Sequence, residues 1–275
     1  MIGRLTGGLL RAVLVVLLIA IPSMLLPASG SGTPEIVALI AIGAALFTLV
    51  EYTALSPSLV EFRDAPPFNR IRFLFTALNV FLLALVLRGA AEPSTLTEIA
   101  RAVGTRLGAA LDIAYSPVRL FLLALPQAGE PLPDLRGLAA VSYLLSLGSV
   151  AFFAALLRLR GWPLPSRNFN VWINLPTFDP TSGPDVIWRL RRDAQFNLVL
   201  GFLLPFVMPA LVKLGLPLLG PIELSDPHAL IWTVTAWAFL PASLLMRGVA
   251  LQRVADMIDA QRERANARDR RMMPA

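Results

Sequence analysis

The sequence contains no cysteine and a single histidine, His228. The first absence excludes disulfides, thiolate nucleophiles and cysteine-held metal or iron–sulfur centres. The second leaves one chain without the ligands for a bis-histidine haem or an ordinary zinc site. Charge is also scarce, at 15% of the 275 residues against about 25% in a soluble domain. Sequence signatures of enzymes are missing too: there is no H-E-x-x-H, no P-loop, no G-x-G-x-x-G and no pair of intramembrane aspartates. Nothing in the residue pattern calls for a cofactor or a metal.

Apolar residues make up 56% of the chain, and several runs reach the roughly 20 residues that a helix needs to cross a bilayer. The period-2 alternation of a membrane β-barrel is absent. The predicted class is all-α: a polytopic integral membrane helix bundle of about six transmembrane helices. The spans read as Leu9–Leu26, Ile36–Leu55, Ile71–Leu87, Leu138–Leu157, Phe196–Leu219 and Ala229–Met246. Residues 1–30 also carry the outline of a signal peptide, with Arg4 and Arg11, an apolar run and a small-residue "ASG" at its end. The run reaches spanning length if Arg11 snorkels, so it is taken as a retained first span.

With six spans, the polar stretches fall on two sides. The N-terminus, the loop near Ser56–Arg72, the loop near Arg158–Asp193 and the tail from Arg247 hold 18 of the 24 basic residues. The other side holds Arg88, Arg101, Arg106, Arg119, Arg136 and Lys213. Arginine and lysine accumulate in cytoplasmic loops, so both termini are expected in the cytoplasm. Lys213 is the sole lysine, an arginine bias typical of a GC-rich genome, and the expected setting is a bacterial inner membrane.

Between the third and fourth spans, "TLTEIARAVGTRLGAALDIAY" places Leu96, Ile99, Val103, Leu107, Leu111 and Ala114 at helical spacing. Ser94 or Thr95 followed by Glu98 makes a capping pattern at its start. This segment is expected to be an amphipathic helix, either lying on the periplasmic membrane face or covering the ends of the bundle. "YSPVRLFLLALP" (Tyr115–Pro126) is too short to span and reads as a re-entrant or interfacial segment. The tail after Arg247 continues the last span as one helix and frays after about Ala265, leaving residues 266–275 as a basic tail. It favours anionic lipid headgroups over nucleic acid, since it lacks aromatics for stacking and alternates its signs.

A charge within a span is the best single pointer to function in such a protein. Glu51 is the carboxylate set in an apolar run, either as a proton or cation site or as the partner of an arginine such as Arg72 or Arg191. Asn79 and Asn197 lie in the third and fifth spans, each behind an Arg-x-Arg, where amides commonly bond across helices. Pro205, Pro209 and Pro217 in the fifth span remove helical donors and suggest a broken helix. Gly148–Ser149 and His228 fall at opposite faces, too far apart for a dyad. Asp226 and Pro227 read as the cap and first residue of the last helix.

The loop "RNFNVWINLPTFDPTSGPDVIWRLRRD" (167–193) is too rich in Pro, Asn and aromatics for an ordinary linker. Phe169, Trp172, Phe178 and Trp188 are expected at the interface or packed against the equally aromatic loop near Ser56–Arg72, as an ordered cap on the cytoplasmic face or as docking residues. A buried Trp172 is worth about 3–5 kcal/mol of packing. Ser182 with Asp185 forms a capping box leading into the fifth span. Arg72, Arg189, Arg191 and Arg192 are candidate headgroup contacts. The leading expectation is a non-enzymatic accessory subunit or assembly factor of a membrane complex. The alternative is a small-solute or ion transporter using Glu51 and the fifth span, and a third reading is a lipid-handling enzyme.

Overall fold

The computed structural model describes residues 2–27, 33–125, 134–163, 169–179, 181, 185–219 and 226–272. Among these, the chain is all-helical without strands, and six helices are long and apolar enough to cross a membrane. These are α1 (Ile2–Leu25), α2 (Thr33–Thr53), α3 (Phe68–Ala91), α6 (Leu135–Arg160), α8 (Val186–Leu219) and α9 (Pro227–Met272). Between them lie α4 (Thr95–Leu111), α5 (Pro117–Ala124) and the single turn α7 (Val171–Asn174). Most of the long helices start or end several residues outside the apolar runs, because the backbone goes on bonding to itself where the side chains turn polar. At 46 residues, α9 is about 69 Å long, more than twice the ~30 Å of a hydrocarbon core. It continues to Met272, beyond the fraying point expected at Ala265.

α3, α6, α8 and α9 form the body of the bundle, and α1 pairs with α2 and meets the body mainly through α3. The closest packing is between α8 and α9. A Cβ on Gly201 would lie 2.8 Å from the Pro241 carbonyl, and one on Gly248 would lie 2.9 Å from the Ala194 carbonyl. Glycine at these two places lets the backbones approach, the usual device where lipid supplies no hydrophobic drive between helices.

The fifth span is not broken. α8 remains helical through Pro205 and Pro209, and a neighbour takes over a lost bond. Pro209 has no N–H for the Pro205 carbonyl four residues back, and that carbonyl accepts from Trp237 Nε1 of α9 at 3.2 Å. Trp237 is itself held in a buried stack with Phe121 and Tyr143.

α4 starts as expected at Ser94, but the capping box closes on Thr97 rather than Glu98. The face it packs is also different from the apolar stripe. Thr97, Gly104 and Gly108 are buried against Gly89 of α3 and Gly137 and Arg136 of α6, while Leu96, Ile99 and Val103 are exposed. Small residues let α4 lie close on the bundle, and its apolar side is left to face outward, as on an interfacial helix. α5 is an eight-residue helix capped by Ser116, too short to span.

Candidate functional site

Three segments remote in sequence converge at one end of the bundle: the α2–α3 loop, the stretch 169–179 and the part of α9 after Met246. The α2–α3 loop is organised from the end of α2. Glu51, buried near the end of α2, accepts from the backbone N–H groups of Ser58 (3.1 Å), Leu59 (3.1 Å) and Val60 (3.0 Å), and from the Ser58 hydroxyl. Successive N–H groups aimed at one anion form a nest. The expected arginine partner is thus replaced by main-chain donors. Arg72 lies over the Phe68 ring at 5.3 Å, and Arg191 pairs with Asp256 and Asp259 of α9. A nest suits Glu51 because the chain doubles back immediately after α2, which brings the donors to it within nine residues.

Arg63 completes this turn. Its Nη1 donates to the Glu51 carbonyl (2.9 Å) and the Ala54 carbonyl (2.8 Å), capping the end of α2 where the helix dipole favours a cation. Its buried Nε makes no hydrogen bond among the described residues, although the Asp64 carboxylate lies 3.3 Å away as an ion pair. Phe62, the residue before Arg63, has a left-handed backbone (φ 52°), a conformation that costs a non-glycine residue energy unless its surroundings hold it. Here they do. Its N–H donates to the Asn174 carbonyl at 2.7 Å, and its buried ring packs on Phe68, Trp162 and Phe169.

The two aromatic loops therefore fold against one another. Asp64 N–H donates to Asn174 Oδ1 (3.1 Å), and Thr177 donates to Glu61 Oε1 (3.2 Å). Glu61 in turn receives both arms of Arg247, Nε at 2.6 Å and Nη2 at 2.8 Å, a bidentate pair that ties the loop to α9. Beneath lies a continuous apolar core of Phe62, Phe68, Phe153, Leu157, Leu175 and Phe178.

Of the aromatic residues singled out from the sequence, Phe178 is buried, with Arg189 over its ring at 4.5 Å, and Phe169 is half-buried. Trp172 is not buried. It projects from α7 with 57% of its surface exposed, because the inward positions of that turn are taken by Asn174 and Leu175. Trp188 is 54% exposed and carries Arg192 at 5.2 Å. Arg192 also pairs with Asp193.

The capping residues Ser182 and Pro184 lie outside the described residues. Asp185 is itself the cap: α8 begins at Val186, and the Asp185 carboxylate accepts from the N–H groups of Ile187 and Trp188. Its hydrogen bond from Arg262 of α9, with these backbone bonds, holds the carboxyl below the usual aspartate range.

Asn79 and Asn197 part company. Asn79 is fully buried where α3, α6 and α9 meet. It donates to Thr235 Oγ1 and accepts from Ser142 Oγ, both at 2.9 Å, each bond worth on the order of 1 kcal/mol. Asn197 turns back on its own helix and donates to the Asp193 carbonyl at 2.6 Å. His228 starts α9, where Asp226 caps the Ala229 N–H at 2.9 Å. Ser149 sits beside Met246, about 27 Å further along α9 at ~1.5 Å per residue. The two are not a dyad. Among the described residues, no three acidic or histidine side chains cluster closely enough to hold a metal ion.

Glu61, Arg63, Asn174 and Arg247 carry this assembly and were not singled out from the sequence. Arg247, a lone charge at the foot of an apolar run, is the one with a legible signal. No family model matches the chain, and no curated protein or solved structure is significantly similar to it.

Proposed function

We propose that this chain is a multi-pass protein of a bacterial cytoplasmic membrane, both termini inside, that works by binding as an accessory or assembly subunit of a membrane complex. The observation that carries the reading is the contrast at the interlocked loops. Their polar groups are spent on one another, through Glu51, Glu61, Asn174 and Arg247, while Trp172 stands outward on the platform they hold. Tryptophan is among the residues most enriched at binding hot spots, and a rigid base lowers the entropy lost on docking. The side assignment rests on the 18 of 24 basic residues that fall on the side of these loops.

The transporter alternative has no comparable support. Glu51 is engaged by four donors from its own loop, and α8 runs unbroken through Pro205 and Pro209. The test is co-purification of the full chain from membranes in mild detergent. A stoichiometric partner is expected with the wild type and lost with Trp172→Ala, while the melting temperature of the variant stays within a degree or two. Equal partner recovery from both proteins, or a variant that no longer folds, overturns the role given to Trp172.

A further inference from the structure

The α1–α2 hairpin carries a second feature, independent of the loop platform. Between the two helices runs an open groove of about 240 Å³, lined by Leu9, Val13 and Leu17 of α1 and Ala45, Leu46 and Leu49 of α2. The lining is apolar along its whole length. From Leu9 to Leu17 it covers about 12 Å of helix, most of the ~15 Å that one leaflet contributes to a hydrocarbon core.

The end of the groove nearest the α2–α3 loop is cationic. Gly8 of α1 faces Leu49, Tyr52 and Thr53 of α2, and one turn on, Arg11 lies over the Tyr52 ring at 4.6 Å. Arg11 uses one N–H on the Gly7 carbonyl at 2.7 Å, which leaves most of the five donors of its fork for another acceptor. Arg72 stands near the start of α3, the helix through which α1 meets the body of the bundle; it lies over the Phe68 ring at 5.3 Å, and among the described residues it has no hydrogen bond and no carboxylate within ion-pair distance. Glu61 of the neighbouring loop is already bidentate to Arg247. Arg63, Arg101, Arg191 and Arg247 face carboxylates, whereas Arg70, Arg106, Arg158 and Arg160 share with Arg72 the absence of an ion pair among the described residues; what sets Arg11 apart is its place beside the apolar groove.

We propose that Arg11, Tyr52 and Arg72 form the headgroup end of a site for an anionic phospholipid, one of whose acyl chains lies in the α1–α2 groove. The arginines supply donors and charge for the phosphate, Tyr52 holds Arg11 in place, and the groove takes an apolar tail at the depth where a tail would lie.

Native mass spectrometry tests this on the full chain in mild detergent, with dioleoylphosphatidylglycerol or dioleoylphosphatidylcholine added at matched concentrations. The wild type is expected to retain the anionic lipid about 30-fold better, the equivalent of about 1 kcal/mol for each arginine near a membrane surface. The double variant R11Q/R72Q brings the two lipids to parity, R11K/R72K keeps most of the preference, and Ala45→Phe, which fills the groove, lowers retention of both. Circular dichroism confirms that each variant is folded. Equal retention of the two lipids by the wild type, or an undiminished preference in R11Q/R72Q, overturns the proposal. So does displacement of the lipid by millimolar inorganic phosphate alone, which would mark a free-anion site. A dimer abolished by Ala45→Phe, with no lipid retained, would give the groove to a second copy of the chain.

Discussion

Trp237 of α9 donates its indole N–H to the carbonyl of Pro205 in α8, the carbonyl that Pro209 leaves without a helical donor. In a lipid environment no water is at hand to replace a lost backbone bond, so the indole serves as the missing N–H. Trp237→Phe keeps most of the ring packing and removes the donor. It is expected to cost about 1–3 kcal/mol, the penalty of an unsatisfied buried acceptor. Pro209→Ala restores a backbone donor, so in that background the cost of Trp237→Phe should shrink to packing alone. A double-mutant cycle of detergent melting free energies measures the coupling. Additive losses would mean that the bond contributes nothing to stability.

The Glu61–Arg247 pair joins residues 186 positions apart. Both side chains are largely shielded, so removing one partner strands the other. Arg247→Ala is expected to destabilise the protein by about 3 kcal/mol, toward the lower end for breaking a buried pair. Arg247→Lys should recover only part of this, since an ammonium cannot match both carboxylate oxygens. Limited proteolysis within residues 56–67 should quicken in Arg247→Ala. Unchanged cleavage there would mean the loop is held by its aromatic core alone.

Glu51→Gln separates structure from transport. An amide has one acceptor oxygen where the carboxylate has two, and its NH₂ faces N–H groups that are themselves donors. With its oxygen in the Oε2 place the amide keeps the Ser58, Leu59 and Val60 N–H bonds, but it loses the charge and sets an NH₂ against the Ser58 N–H that Oε1 accepts, so stability is expected to fall by about 1–3 kcal/mol. A variant with unchanged melting and abolished cation-coupled uptake in vesicles would restore the transporter reading.

Topology is tested by reporter fusions. Fusions after Arg72, Arg192 and Ala275 are expected to report cytoplasm and a fusion after Gly129 periplasm; Gly129 and Ala275 lie outside the described residues. The contacts Glu61–Arg247 and Arg191–Asp259 already bring the segments around Arg72 and Arg192 to the same end as the outer part of α9. Opposite reports from the Arg72 and Arg192 fusions would contradict that arrangement.

Hydropathy determined the all-helical character and the six long apolar helices, and the capping pattern at Asp226–Pro227 determined the start of α9. These follow from local requirements: a backbone in lipid must bond to itself, and a cap must sit within three residues of the donor it serves. The aromatic pairing of the two loops was legible as composition, but not which residues turn inward. Phe178 is buried and Trp172 exposed because α7 is a single turn whose orientation is set by Asn174 bonding to Phe62 and Asp64. The nest around Glu51, the Trp237 bond to Pro205 and the divergence of Asn79 from Asn197 belong to the tertiary structure. Each depends on which helices become neighbours and how they are rotated, and neither quantity is carried by the periodicity of any one segment.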